Sequence, residues 1–175
     1  FGVVDGTFRM LAEDEIDHSI LAVIGNALAW IFIPLGWGNW QATVASVTGL
    51  VAKENIVGTL GILFGGGEGS VYANIAGAFT ALSGFTFLTF NLLCAPCFAA
   101  MGAIKREMNS GKWTAFAIGY QCVFAYAVSL VIYQLGLLFT GSGNVIGSIA
   151  AFLLVALFVY LLVRPYKEKS KPDVK

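Results

Sequence analysis

Two short stretches of this 175-residue chain place reactive side chains where nearly everything around them is apolar. The first is Cys94-Ala-Pro-Cys97, with Met101 four residues further on and on the same helical face as Cys97. Thiolates and thioethers select softer transition metals, whereas Na⁺ and Mg²⁺ prefer oxygen. Pro96 removes one backbone donor and clashes with the carbonyl four residues back, on Leu92, so a helix here kinks and leaves that carbonyl free. Exposed backbone at membrane depth is tolerated only inside protein or against a watery cavity, and broken helices are where transporters hold their ions. The second stretch is Lys53-Glu54-Asn55, embedded in VASVTGLVAKENIVGTLGILF. An ionisable group at that depth costs about 2.5–3.5 kcal/mol on insertion scales, so it calls for a partner or a polar cavity. Glu54, Gly58 and Gly61 fall at i, i+4 and i+7, where the glycines let another backbone approach the carboxylate. Read for function, Glu54 attracts a cation on a translocation path. Read for structure, Lys53 and Glu54 pair near a helix break and snorkel toward an interface.

Other polar positions carry weaker signals. A lone C-x-x-C lacks the second ligand pair of a zinc site, since only Cys122 and His18 remain, and no thioredoxin-like surroundings support a redox motif. Two small buried residues packing a kink is the plainer account. Asn91 and Tyr120-Gln121-Cys122 put polar groups in apolar helices, where helix–helix hydrogen bonds explain them as well as a site does. Gly143 and Gly147 form a close-packing G-x-x-x-G. Asp14, Glu15, Asp17 and His18 gather cations or simply make a solvated acidic loop, the plainer reading. No G-x-x-x-x-G-K-[ST] occurs, so the sequence contains no P-loop.

The elements that must position these residues follow from composition. Hydrophobic residues make up 58% of the chain and charged residues 11%, far below the roughly 25% of soluble domains. Trp113 to Val163 carries no Asp, Glu, Lys, Arg or His, enough for two spans of about 20 residues. A soluble enzyme, a nucleic-acid binder and a disordered tail are excluded. The expected fold class is all-α, a polytopic transmembrane bundle with broken or re-entrant gate helices. Residues 1–18 are expected to form an acidic extramembrane loop or short interfacial helix. Residues 19–163 form the membrane domain, and residues 164–175 a basic tail. Within the domain, Ser19 caps a short interfacial or re-entrant helix over 20–33, ended by Pro34 and Gly36. Trp30, Trp37 and Trp40 suit the headgroup boundary. Helices follow over 41–64 (spanning or re-entrant), 73–94 with a break at 94–97, 113–139 and 145–163. Lys105, Arg106 and Lys112 share a face with the basic tail, which the positive-inside rule makes cytoplasmic. Phe1 in place of Met, with no recognisable signal peptide, reads as a fragment or processed piece.

The order of these segments resembles a known family. PLGWGNWQATVASVTGLVAKENIVGTLGILF is similar to the second gate segment of bacterial ferrous-iron transport protein B (FeoB), with its PLG…W turn and TG-x-x-AKE helix. NLLCAPCFAAMGAIKREMNSGKWTAFAIGYQCVFAYAVSLVIYQLG resembles the family's next block, with a Pro-Cys break, an A-I-[KR]-R-E loop, a Trp and a Tyr-Gln-containing helix. The match covers most of residues 19–139. It implies a piece of the C-terminal half of a multi-pass inner-membrane Fe²⁺ importer. The family's N-terminal GTPase and first gate half would be its partners, with the lipid bilayer around it and a homo-oligomer left open. No cofactor is held tightly, Fe²⁺ is cargo, and GTP acts only through the absent N-terminal domain. The family's Pro-Cys cysteine falls on Cys97 and its AKE motif on Lys53 and Glu54, while Cys94 sits where other members often differ.

The combined expectation is a segment lining half of a ferrous-iron path. Cys97, Glu54, Cys94 and Met101 would contact metal. Lys53, Asn55, Pro96, Asn91, Gly58 and Gly61 would shape the gate, with Lys53 balancing Glu54 when no ion is bound. Three other readings stay open: a structural half without metal contact, a membrane thiol oxidoreductase using Cys94 and Cys97, and a gate-type carrier of nucleosides or other organic solutes. The last would want an aromatic and polar pocket at the break.

Overall fold

The computed structural model describes residues 19–65, 70–141 and 145–164, and the backbone of 2–4 and 7–9. The acidic cluster at 14–18, the loop centre at 66–69, the turn at 142–144 and the tail from 165 lie outside the described residues.

The N-terminal stretch differs from the loop or interfacial helix expected. Strands β1 (Gly2–Val4) and β2 (Thr7–Arg9) pair antiparallel, with Val3 opposite Phe8 and Val4 opposite Thr7. The sequence reason is local: β-branched residues flank Asp5-Gly6, a dipeptide suited to two-residue hairpin turns. Every other element among the described residues is helical.

Helix α1 (Ile20–Ala29) starts as expected, with the Ser19 hydroxyl accepting from the Ala22 N–H at 3.0 Å. It tightens into a 3₁₀ turn over Trp30–Leu35 that contains Pro34 and ends at Gly36. Gly36 has φ +87° and lies against the Tyr133 ring, so a side chain there meets both backbone strain and a clash. The Asn39 side chain then caps α2 (Trp40–Thr48), and the chain bends by 99° between the two arms.

The expected helix over 41–64 is two helices, α2 and α3 (Asn55–Leu63), separated by an irregular segment at 49–54. The Thr48 hydroxyl turns back to the Ala45 carbonyl, the last bonds tighten from i−4 to i−3, and the polar Lys53 and Glu54 follow. A hydroxyl that competes for backbone acceptors loosens a helix end. The expected helix over 73–94 is also two, α4 (Val71–Ala78) and α5 (Ala81–Leu93). Here Thr80 and Ser83 form a reciprocal capping box, which starts a new helix rather than continuing the old one. The break at 94–97 is present: α5 stops at Leu93 and α6 (Phe98–Met108) begins after Cys97.

Two helices complete the chain, α7 (Gly111–Phe139) and α8 (Val145–Val163). Residues 81–108, taken through the break, and α7 are long and apolar enough to cross a membrane. Helix α5 runs antiparallel to α7, with Leu82 beside Gly136 and Cys94 beside Cys122. Helix α8 runs back along α7, with Gly147 seated on the Gln134 amide and Phe124 against Phe158. That contact bears out close packing at Gly147. The basic end of α6 (Lys105, Arg106), Lys112 and Arg164 therefore lie toward one side.

Trp37 departs from its expected headgroup position. It is 1% exposed, stacks on Phe32 at 4.3 Å and meets Phe87 and Phe90 edge-on or tilted, whereas Trp30 is 67% exposed. The bend carries Trp37 inward between the arms, so the PLGWGNW turn builds the core instead of an aromatic belt. The same fold solves a backbone problem. In a 3₁₀ turn Pro34 leaves the Ile31 carbonyl without its donor, and the Tyr126 hydroxyl supplies one at 2.8 Å. Gln134 Nε2 donates to the Pro34 carbonyl at 3.0 Å and Thr86 Oγ1 to that of Leu35 at 2.9 Å. Backbone acceptors away from water must find such partners.

Candidate functional site

Two of the breaks between helices meet, the irregular segment at 49–54 and the break at 94–97. Lys53 extends from the irregular segment at 49–54 and donates from Nζ to the carbonyls of Asn91 at 2.8 Å, Leu92 at 3.1 Å and Cys94 at 3.5 Å. These are among the last carbonyls of α5 and its cap, groups left open wherever a helix stops. Leu92 is the acceptor that Pro96 deprives of its helical donor. In return, the first N–H of α6, on Phe98, donates to the Leu50 carbonyl at 3.0 Å. Each break thus satisfies the other. An ammonium has three donors and no acceptor, and the C-terminal end of a helix carries partial negative charge, so the match is electrostatic as well as geometric.

This overturns the expected Lys53–Glu54 balance. Lys53 turns away to the α5 carbonyls, and Glu54 stays exposed at the start of α3 with no ion pair among the described residues. Both side chains nevertheless line a single cleft of about 500 Å³, together with Leu92, Leu93, Cys94, Pro96, Cys97 and Gln121. Gln121, one of the weaker signals in the sequence, reaches this cleft from α7. Glu54 and Cys97, 43 positions apart in sequence, share one void that opens between broken helices.

The remaining expected site residues divide clearly. Cys94 lines the cleft but its thiol lies 3.6 Å from that of Cys122, so the close sulfur pair joins α5's end to α7 and does not follow the C-x-x-C spacing. Met101 sits on α6 with its N–H on the Cys97 carbonyl and is not among the cleft residues. Asn55 begins α3, exposed. Asn91 is buried and its Nδ2 turns back to the Phe87 carbonyl at 2.8 Å, while its own carbonyl receives Lys53. Gly58 and Gly61 face open space, with nothing within 4 Å of an added Cβ, so no described residue makes the close backbone approach expected there. Among the described residues, no three His, Cys, Asp or Glu side chains converge as a ready-made metal cluster.

Sequence reasoning missed the partners of the breaks. Tyr126, Gln134 and Thr86 carry no motif, and Cys122 stands out only as a leftover thiol and as part of the polar Tyr120-Gln121-Cys122 triplet. A signal existed on α7: Cys122, Tyr126, Ser129 and Tyr133 recur at i, i+4, i+7 and i+11, a polar stripe in an otherwise apolar helix.

A family model described as Gate, nucleoside recognition, matches residues 11–111. The chain belongs to the Gate family. Three curated relatives of this Gate chain bear the name Fe(2+) transporter FeoB. That of Methanocaldococcus jannaschii is 45% identical over 121 residues, covering 69% of this chain and 18% of the relative. That of Staphylococcus aureus (strain COL) is 40% identical over 125 residues, covering 71% and 19%. That of Helicobacter pylori is 33% identical over 131 residues, covering 70% and 20%. The resemblance to ferrous-iron transport protein B drawn from the two motif blocks is borne out. The chain spans about a fifth of the length of these relatives. No solved structure matches it.

Proposed function

We propose that this Gate chain is a membrane segment of a ferrous-iron importer and lines part of the ion's path at the cleft between its two breaks. The observation that carries this reading is the shared cleft: a carboxylate with no ion pair among the described residues, Glu54, and a thiol at a helix break, Cys97, face one void with the Gln121 amide. A carboxylate draws in a hydrated divalent cation, and a thiol suits Fe²⁺ better than it suits Mg²⁺ or Ca²⁺. With no three His, Cys, Asp or Glu side chains converged among the described residues, the site suits passage rather than storage, since conduction needs binding weak enough to release. Cys94 is engaged with Cys122 and stands behind Cys97 in this role.

The relatives' printed names support Fe²⁺ as cargo. The family's description favours a nucleoside instead, but among the described residues no aromatic ring lines the cleft to stack on a base. The basic residues Lys105, Arg106 and Lys112, lying toward the same side as Arg164, support a cytoplasmic C-terminus in the inner membrane. The GTPase and first gate half known from the family would complete the path and drive it.

Fe²⁺ uptake by proteoliposomes holding the intact protein tests this. Glu54→Ala and Cys97→Ser are expected to lower uptake at least tenfold at normal protein levels, roughly 1.4 kcal/mol or more of lost stabilisation. Wild-type uptake in both would defeat the path.

A further inference from the structure

We propose that the carbonyl oxygens of Asn91, Leu92 and Cys94 form a site for an oxygen-ligated divalent cation, and that the Lys53 ammonium is its tethered resident, displaced when such a cation arrives at Glu54. The inference rests on the path reading and adds a binding site and its built-in occupant to it.

Three observations carry it. Three carbonyls converge on one positive charge at 2.8, 3.1 and 3.5 Å, so the cage already holds a cation, supplied by the chain itself. Rings of backbone carbonyls replace an ion's hydration shell in selectivity filters, and here the end of α5 adds its partial negative charge. Next, the carboxylate beside Lys53 in sequence is not paired with it: Glu54 faces the same cleft, free to bring a divalent ion close to the ammonium. Like charges brought into one cleft repel, and Lys53 is the charge that can move. Finally, Lys53 lies in the irregular segment at 49–54 and not within α2 or α3, and its four-carbon stem is flexible. Swinging it into the cleft disturbs no helix. The ammonium then acts as a plug: it keeps the carbonyls satisfied when no metal is present and yields them, one cation for another, when metal enters.

Lysine labelling in the intact wild-type protein, reconstituted and kept anaerobic, reads the plug directly. An amine-reactive acylating reagent followed by peptide mass spectrometry is expected to modify Lys53 slowly without metal. Labelling should rise several-fold as Fe²⁺ is titrated in, while Lys105 and Lys112 stay constant. Flat Lys53 labelling across the titration overturns the proposal, as does an equal rise with NaCl at matched ionic strength. Lys53→Met, which keeps the stem and removes the charge, is expected to lower the Fe²⁺ concentration for half-maximal uptake several-fold. An unchanged or higher value in a protein that accumulates normally overturns the plug. If the variant does not accumulate, the labelling result decides alone. Glu54→Ala and Cys97→Ser judge the path separately, so a path without a plug shows loss in those two variants and flat labelling at Lys53.

Discussion

The Lys53 ammonium sits 3.1 Å from the Leu92 carbonyl oxygen, the one acceptor that Pro96 strips of its helical donor, from 39 positions away in the chain. The same relation holds at Pro34, where the Tyr126 hydroxyl reaches the Ile31 carbonyl 95 positions away at 2.8 Å. Both proline sites therefore persist in an apolar setting because a distant polar side chain replaces the missing N–H. Such a replacement is obligatory where no water stands in.

Removing the donor at the Pro34 turn should loosen the bent pair. Tyr126→Phe keeps the ring and leaves the Ile31 carbonyl unpaired, and Gln134→Leu does the same to Pro34. An orphaned acceptor away from water costs about 1–3 kcal/mol. Each variant is expected to lower the midpoint of thermal unfolding in detergent, and the double variant to lower it further. A midpoint unmoved in both singles counts against these bonds.

The sulfur geometry makes a prediction about crosslinking. Mild oxidation by a diazene dicarboxamide, which takes up the two hydrogens as the S–S bond forms, should join Cys94 to Cys122, whose thiols are 3.6 Å apart. Cys97 should remain open to alkylation from the cleft. Peptide mapping that finds Cys94–Cys97 as the main disulfide would contradict the arrangement and revive the C-x-x-C reading.

Trp37 and Trp30 should behave oppositely. Trp37 is enclosed by Phe32, Phe87 and Phe90, and replacing a core aromatic by Ala costs about 3–5 kcal/mol. Trp37→Ala is expected to abolish accumulation in the membrane. Trp30→Ala, on an outward face, is expected to accumulate at close to wild-type levels. Quantitative immunoblotting of membrane fractions distinguishes them, and equal levels would remove Trp37 from the core.

On α3, an added Cβ at Gly58 or Gly61 meets nothing within 4 Å among the described residues. Alanine there should fit and stiffen the helix, by about 0.8–1 kcal/mol per position from intrinsic propensity. The expected result for Gly58→Ala with Gly61→Ala is an equal or higher unfolding midpoint in detergent. A clear fall would show that a further backbone lies on this face.

How much of this was legible in the chain depends on the distance over which each feature is decided. The sequence of residues by itself determined the all-helical membrane class, the Ser19 cap, the stop at Gly36, the break at Cys94–Cys97 and the last helix over 145–163. Hydropathy, proline's missing donor and short capping side chains act within a few residues, so they can be read in order along the chain. Even locally some competition was misjudged: Thr48 and the Thr80–Ser83 pair divide two stretches whose hydropathy alone looks continuous. Only the tertiary structure decided where Lys53 points, that Gln121 reaches the cleft, that Cys94 meets Cys122, and that Trp37 belongs to the core. Those outcomes depend on which freed carbonyl lies within a few ångströms of which donor once α5, α7 and the bent pair have packed. A charge beside a carboxylate in sequence has the obvious local partner, yet three helix-end carbonyls gathered by a fold offer the ammonium a match to all its donors. That choice exists only after the two breaks have been brought together.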